Sequence, residues 1–470
     1  MDNKPKLTSM HVNMYALANG MNTMASQIPT QYIMMFCTDF LGISPVAYGT
    51  AMGIAKTFDF FVCIFAGPII EKSNGKHGKY ISWMRILTAT LFFGNIIQVF
   101  DTSAFITNPT IKLLFVCFGY CMFHGSMNFN ATVRGSLVRK LAGANMEDRR
   151  KLTTRQSQVG AAVSIISSAI TLPCITFVEK LTGSPTLGYF LVALAFSSGF
   201  VICNTIFIKL AAPFDPPAPA ASTGAKSASL KDMIEVIFTN KQMLILVITY
   251  TLFSIGSQIN AGVTTYFFRV TGTFGQYALV QTIRAFVAFG ASIVVPPIGK
   301  KLGKKTSLVI GRYLYSAGAI FIYVFGLKSD GSANLVLMTI GMCLLRVATY
   351  TYMPFGVNYW LDCAEYGYYT TGKDMRGFAA AIMNIPTKIG FAIGGSAVGY
   401  LVAWAGYNVP AGATVGQFTY MNRYMMVLGL IPAVICIFSG VLTQLFYKLT
   451  DEEAAMYAKA NAERDAQIEA

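Results

Sequence analysis

The chain has 470 residues, of which 54% are hydrophobic and only 12% charged, with 36 Lys and Arg against 21 Asp and Glu. Soluble proteins carry roughly twice that charged fraction, so the composition excludes a soluble globular protein and points to the lipid bilayer. The basic excess does not imply nucleic acid, because the basic residues cluster in short gaps between apolar runs, as in cytoplasmic membrane loops. Of the nine cysteines, Cys37, Cys63, Cys117, Cys121, Cys174, Cys203, Cys343 and Cys436 lie in or beside apolar segments without metal-type spacing. They read as small packing residues, and neither a disulfide nor a metal is expected.

In chain order, the N-terminal "MDNKPKLTSMHVNMYALANG" lacks the short apolar core and small-residue site of a cleavable signal, so the first span should be retained. Apolar stretches long enough to cross ~30 Å of hydrocarbon fall near 12–36, 46–70, 81–100, 111–132, 156–178, 186–209, 242–267, 275–298, 307–327, 334–359, 378–404 and 421–446. The expected fold is therefore an all-α membrane protein with twelve transmembrane helices.

The loop "EKSNGKHGKY", the 134–155 segment and "GKKLGKKTS" are rich in Lys and Arg, whereas "TDFLGISP", "DTSAFITNP" and "YNVPAGATVGQFTY" have none. That asymmetry places both termini in the cytoplasm of a multi-pass protein of the bacterial inner membrane type. "AAPFDPPAPAASTGAKSASL" reads as a flexible linker, giving a six-helix bundle over 1–210, a linker over 211–230 and a second bundle over 231–447. Residues 448–470 read as a solvated cytoplasmic tail. "AGPIIEKSNGKHGKY" after the second span is echoed by "VPPIGKKLGKKTS" after the eighth, and this two-bundle layout resembles the major facilitator superfamily.

A narrower resemblance is carried by "YALANGMNT", "FCTDFLGISPVAYGTAMGIAKTFDFFVCIFAGPIIEK", "HGKYISWM", "SLKDMIEVIFTNKQMLIL", "LDCAEYGYYTTGKDMRG" and "PTKIGFAIGGSAVGYLVAWAGY". In order and spacing these patches resemble the glycoside-pentoside-hexuronide:cation symporters, the family of melibiose permease. The resemblance implies a secondary transporter of a sugar, glycoside or sugar acid working by alternating access, with no enzymatic activity and no cofactor.

Lys56 and Asp59 stand three apart in the second span, on one helix face, where they can share the cost of burying charge. The resemblance makes them the cation site, but the family's second aspartate is Cys63 here, and its span-four acid aligns with Asn130, or with Asn128. Sodium needs several oxygen ligands and compensating charge. A lone buried carboxylate suits a proton better, since burial and Lys56 pull its charge state in opposite senses. The coupling ion is therefore expected to be H+ rather than Na+, with a purely structural Lys56–Asp59 pair as the alternative.

By the same resemblance, Lys388 in span eleven faces the cavity and Arg155 meets sugar hydroxyls, its fork suiting vicinal hydroxyls or a carboxylate. Asn22 and Thr23 replace a charged pair, Tyr15 and Tyr120 offer aromatic faces, and His124 could titrate near neutral pH. Asp362, Glu365 and Arg376 resemble a cytoplasmic gate that would pair with the 134–155 loop through Arg134. Arg284 and Arg346 have no sequence-level partner; if either faces the cavity, an anionic substrate gains favour. The weighed alternatives are an uncoupled facilitator, an exporter of amphipathic compounds, and a membrane enzyme or receptor. The last finds no support, since the lone "GKKT" at 303–306 lacks P-loop spacing. A monomer in the bilayer with a small carbohydrate as its partner is the expectation.

Overall fold

The computed structural model of the protein describes residues 6–143, 145–217, 230–372, 374, 376, 379–410 and 415–469. The described residues are helical almost throughout, with one short pair of two-residue strands among them in which Tyr407 pairs antiparallel with Phe418. Among the described residues, eleven helices are long and apolar enough to cross a membrane.

Two compact units emerge: Met1–Ser227 with Gly275–Thr282, and Ala228–Phe274 with Ile283–Ala470. The first contains α1 (Ser9–Ala25), α2 (Pro45–Lys72), α3 (Lys79–Gln98), α4 (Pro109–Ala142), α5 (Met146–Thr182) and α6 (Pro185–Ala211). The second contains α7 (Lys241–Val270), most of α8 (Phe274–Leu302), α9 (Lys304–Phe325), α10 (Leu335–Tyr352), α11 (Gly356–Thr371), α12 (Asn384–Trp404), α13 (Ile431–Phe446) and α14 (Asp451–Glu469). Most of the linker expected over 211–230 lies outside the described residues.

Several helices start where a capping side chain precedes proline. Ser44, Asn108 and Ser184 accept from Ala47 N (3.2 Å), Thr110 N (2.9 Å) and Leu187 N (3.4 Å), and Pro45, Pro109 and Pro185 follow at the first helical position. Proline costs nothing there because its missing N–H would have no intrahelical partner.

Four expectations are corrected. The first span is not one helix: α1 stops at Ala25, short segments Gln27–Gln31 and Ile33–Met35 follow, and Phe36–Phe40 winds as a π-turn. The supposed 134–155 loop is helical except for a tight turn, because α4 continues to Ala142 and α5 begins at Met146. Its charges mark helix ends that extend past the apolar stretch. Span ten breaks at Met353–Phe355, where Pro354 lacks a donor, and resumes as α11.

The fourth concerns the tail, expected to be solvated: it is docked, with α14 lying along α11. Asn461 Nδ2 donates to Glu365 Oε2 (2.6 Å), Tyr368 donates to Asp465 (2.7 Å), and Tyr457 packs on Tyr369. Sparse apolar residues sufficed because polar pairs carry the contact.

In the second unit α12 packs closely on α7. A Cβ at Gly394 would sit 2.9 Å from Ile255 O, and one at Gly390 the same distance from Thr251 O, so only a hydrogen fits at either place. In the first unit the stretch after α6 turns back, and Asp215, 2% exposed, caps α3 by accepting from Tyr80 N (2.6 Å) and Ile81 N (3.0 Å). Gly78, at φ 97°, gives the chain room to approach Asp215. Asp215→Ala should therefore cost about 1–2 kcal/mol and lower the melting temperature of the purified protein, whereas Asp330→Ala in an exposed turn should not.

Candidate functional site

In the first unit the chemistry gathers where α2 packs on α4. Lys56, Asp59 and Cys63 recur at intervals of three and four along α2 and so share one face. Asp59 is 4% exposed, and Asn128 Nδ2 of α4 donates to its Oδ1 at 2.5 Å and to its backbone carbonyl at 3.3 Å. Lys56 lies in electrostatic reach of the carboxylate. From α4, Tyr120 and Cys121 also feel the Asp59 charge, and His124 stacks on Tyr120 with ring centroids 4.1 Å apart.

Asn130, set beside Asp59 by its alignment, is not there. Two residues along a helix turn a side chain by about 200°, so Asn130 points to the opposite side from Asn128. Its Oδ1 accepts from Arg134 Nε at 3.1 Å. Arg134 is likewise no gate residue: it is buried in the unit core, where Nη2 donates to Asn204 Oδ1 (2.7 Å) and Asn204 in turn donates to Thr88 (2.7 Å).

The expected substrate residues divide. Tyr15 is 2% exposed and packs its ring against Phe207, which makes it core rather than a sugar platform. Asn22 is buried and donates to Met127 Sδ (3.2 Å), leaving its Oδ1 without a hydrogen bond, while Thr23 is exposed and bonds back to Asn19 O. Arg155 is exposed, holds Asn13 Oδ1 at 2.8 Å, and lines an open recess of about 660 Å³ with Asn13, Gln158 and Arg150. Lys388 is half-buried on α12 of the second unit.

The interior of the second unit is basic. Arg312 on α9 is fully buried, and none of its nitrogens has a hydrogen bond of ordinary geometry. The faces of Phe253, Tyr250 and Tyr352 surround it at 3.8, 4.6 and 4.6 Å, so cation–π attraction replaces hydrogen bonding. Tyr315, edge-on to Phe253, feels Arg284 and Arg346, the latter exposed at the surface of the unit. None of the membrane-crossing segments here, apart from the α11 end of the broken span, contains an Asp or Glu.

Asp362, Glu365 and Arg376 are engaged within their own unit. Lys304 pairs with Asp362 and lies 3.4 Å from Asp451. Arg376 grips Asp374 through two bonds (2.9 and 2.7 Å), reaches Asp465 at 2.8 Å and Glu365 at 3.7 Å, and lies over the ring of Tyr368.

With this geometry in hand, likeness to other proteins can be placed. The sequence profile described as MFS/sugar transport protein matches residues 14–451. The chain belongs to this family. Members similar to it include an isoprimeverose transporter of Lactiplantibacillus pentosus, 24% identical over 84% of this chain and 80% of its own length. A glucuronide carrier protein homolog of Escherichia coli K12 is 21% identical over 84% and 83%, and a putative sulfoquinovose importer of the same strain 24% over 94% and 91%. The fold matches the crystal structure of the nucleoside transporter NupG with a TM-score of 0.64 at 16% identity, covering 94% of this chain and all of that one. The protein is thus a multi-pass, all-α sugar transporter of the major facilitator superfamily, not an enzyme, and its resemblance to the glycoside-pentoside-hexuronide:cation symporters holds.

Sequence reasoning missed three participants. Asn128 was weighed but set second; Asn204 looked like any polar residue near a span end; Arg312, enclosed by aromatic side chains that come together only in three dimensions, left no local signal. The grip of Arg376 holds the Asp374 carboxyl below its ordinary range, and the Tyr368 hydroxyl followed by Arg376 does the same for Asp465. A depressed acid contributes stability above its unfolded value and loses it as pH falls through the folded one. Protection of α14 against hydrogen exchange should therefore be constant from neutral pH down to about pH 5 and decline below about pH 4.

Proposed function

We propose that the protein accumulates a sugar acid by symport with a proton, and that Asp59 is the group the proton occupies. The observation that carries this reading is a deeply buried carboxylate that accepts from the Asn128 amide, with Lys56 in electrostatic reach. Protonation removes a charge whose burial is costly, and the amide can stay beside the neutral acid with its carbonyl as the new partner. A sodium ion there would need further oxygens and negative charge beyond Asp59. The termini, in this reading, face the cytoplasm.

The acid character of the substrate rests on the second unit. Arg346 is exposed from a membrane-crossing helix, and a charge at that depth faces water or a ligand rather than lipid. Arg284 and Lys388 add positive charge to the same unit, which suits a carboxylate through charge-assisted hydrogen bonds. The glucuronide carrier homolog among the relatives keeps such a substrate within the family's range.

Uptake into proteoliposomes tests both parts. Asp59→Asn should abolish accumulation above the equilibrium level while exchange continues, and wild-type accumulation should follow an imposed pH gradient with or without sodium. Full accumulation by Asp59→Asn would leave Lys56 and Asp59 a structural pair and the protein a facilitator. Arg346→Gln should raise KM for a hexuronide by roughly tenfold while leaving a neutral pentoside within about twofold.

A further inference from the structure

Helices α3 and α6 run antiparallel, locked by two buried hydrogen bonds: Asn204 Nδ2 to Thr88 Oγ1 at 2.7 Å and Asn95 Nδ2 to Ser197 Oγ at 2.6 Å. Both bonds lie at the same register, so stepping back one turn from Thr88 brings Arg85 opposite Phe207, two residues short of Lys209. The surface over this seam is a groove of about 640 Å³, walled by Ala89, Phe92, Phe93, Val201 and Ile202, with Arg85 and Lys209 at one end. Both basic side chains are exposed, and neither makes a hydrogen bond or ion pair among the described residues.

The groove end with the two cations is also the end where the Lys-rich 72–79 loop joins α3. Arg85 stands six residues into α3, about 9 Å from its start by helical rise. Its charge therefore lies beyond the first turn of the helix, beside the apolar wall of the groove. One snorkelling side chain explains itself by its own reach. Two at one level, flanking an apolar trough some eight residues long, describe instead a receptor for a molecule with an anionic head and a hydrocarbon tail.

We propose that this groove binds an anionic phospholipid, the phosphodiester between Arg85 and Lys209 and one acyl chain over Phe92, Phe93 and Ile202. Each basic group near an anionic headgroup contributes about a factor of five to selectivity, so an anionic lipid should be favoured over a zwitterionic one by roughly tenfold or more. The site is independent of Asp59 and of the transported sugar.

Purified full-length protein is melted in detergent with phosphatidylglycerol, with phosphatidylcholine of the same chains, or with inorganic phosphate. Phosphatidylglycerol should raise the melting temperature by roughly 3 °C or more over phosphatidylcholine, and inorganic phosphate should not. Arg85→Gln with Lys209→Gln should lose that increment, while Lys180→Gln, an exposed lysine at the far end of α5, should retain it. An equal response to the two lipids, stabilisation by phosphate alone, or an increment that survives the double substitution would overturn the proposal. If the double variant does not fold, native mass spectrometry of the wild type in an equimolar lipid mixture decides. Retained phosphatidylglycerol exceeding phosphatidylcholine by about tenfold upholds the site, and near-equal retention refutes it.

Discussion

A charge inside hydrocarbon must be hydrogen-bonded, paired, wrapped or left facing water, and this one constraint accounts for the differing interiors of the two units. The first unit meets it with amides. Asn128 holds Asp59, and the run Asn130, Arg134, Asn204, Thr88 distributes one guanidinium over α4, α6 and α3. The second unit, whose spans are almost free of acids, meets it with aromatic faces around Arg312.

Those two solutions differ in what they rigidify. An amide network fixes helix register, because each donor must face its acceptor; the bonds Asn204–Thr88 and Asn95–Ser197 set α3 against α6 residue by residue. Aromatic wrapping constrains distance more than register, since a π face accepts a cation over a range of positions. Glycines supply the register in the second unit instead, with Gly390 and Gly394 admitting the backbone of α7.

The layout of spans was legible because hydropathy over twenty residues averages out local detail. Ser-Pro and Asn-Pro pairs stand at the helix starts 44–45, 108–109 and 184–185, a signal the reading of the sequence did not use. What failed were inferences that equate charge with loop. Arg134 through Arg155 is a basic stretch, yet it is nearly all helix and folds Arg134 into the core, because the helices continue beyond their apolar portion. The tail was misjudged for a related reason: its docking uses Asn461 and Asp465, and a count of apolar residues cannot register polar pairing. At the site, Lys56 and Asp59 stood out as charges in an apolar run, whereas choosing Asn128 over Asn130 required the rotation of α4 about its own axis. Arg312 required three helices at once.

The aromatic enclosure of Arg312 bears on how the energy of the two units can vary. A carboxylate has two states of charge, so whatever rests on one can change with its surroundings. A guanidinium keeps its charge at any physiological pH. The interior of the second unit thus carries a charge that no physiological change of pH removes, a property set by the rings its helices place around Arg312.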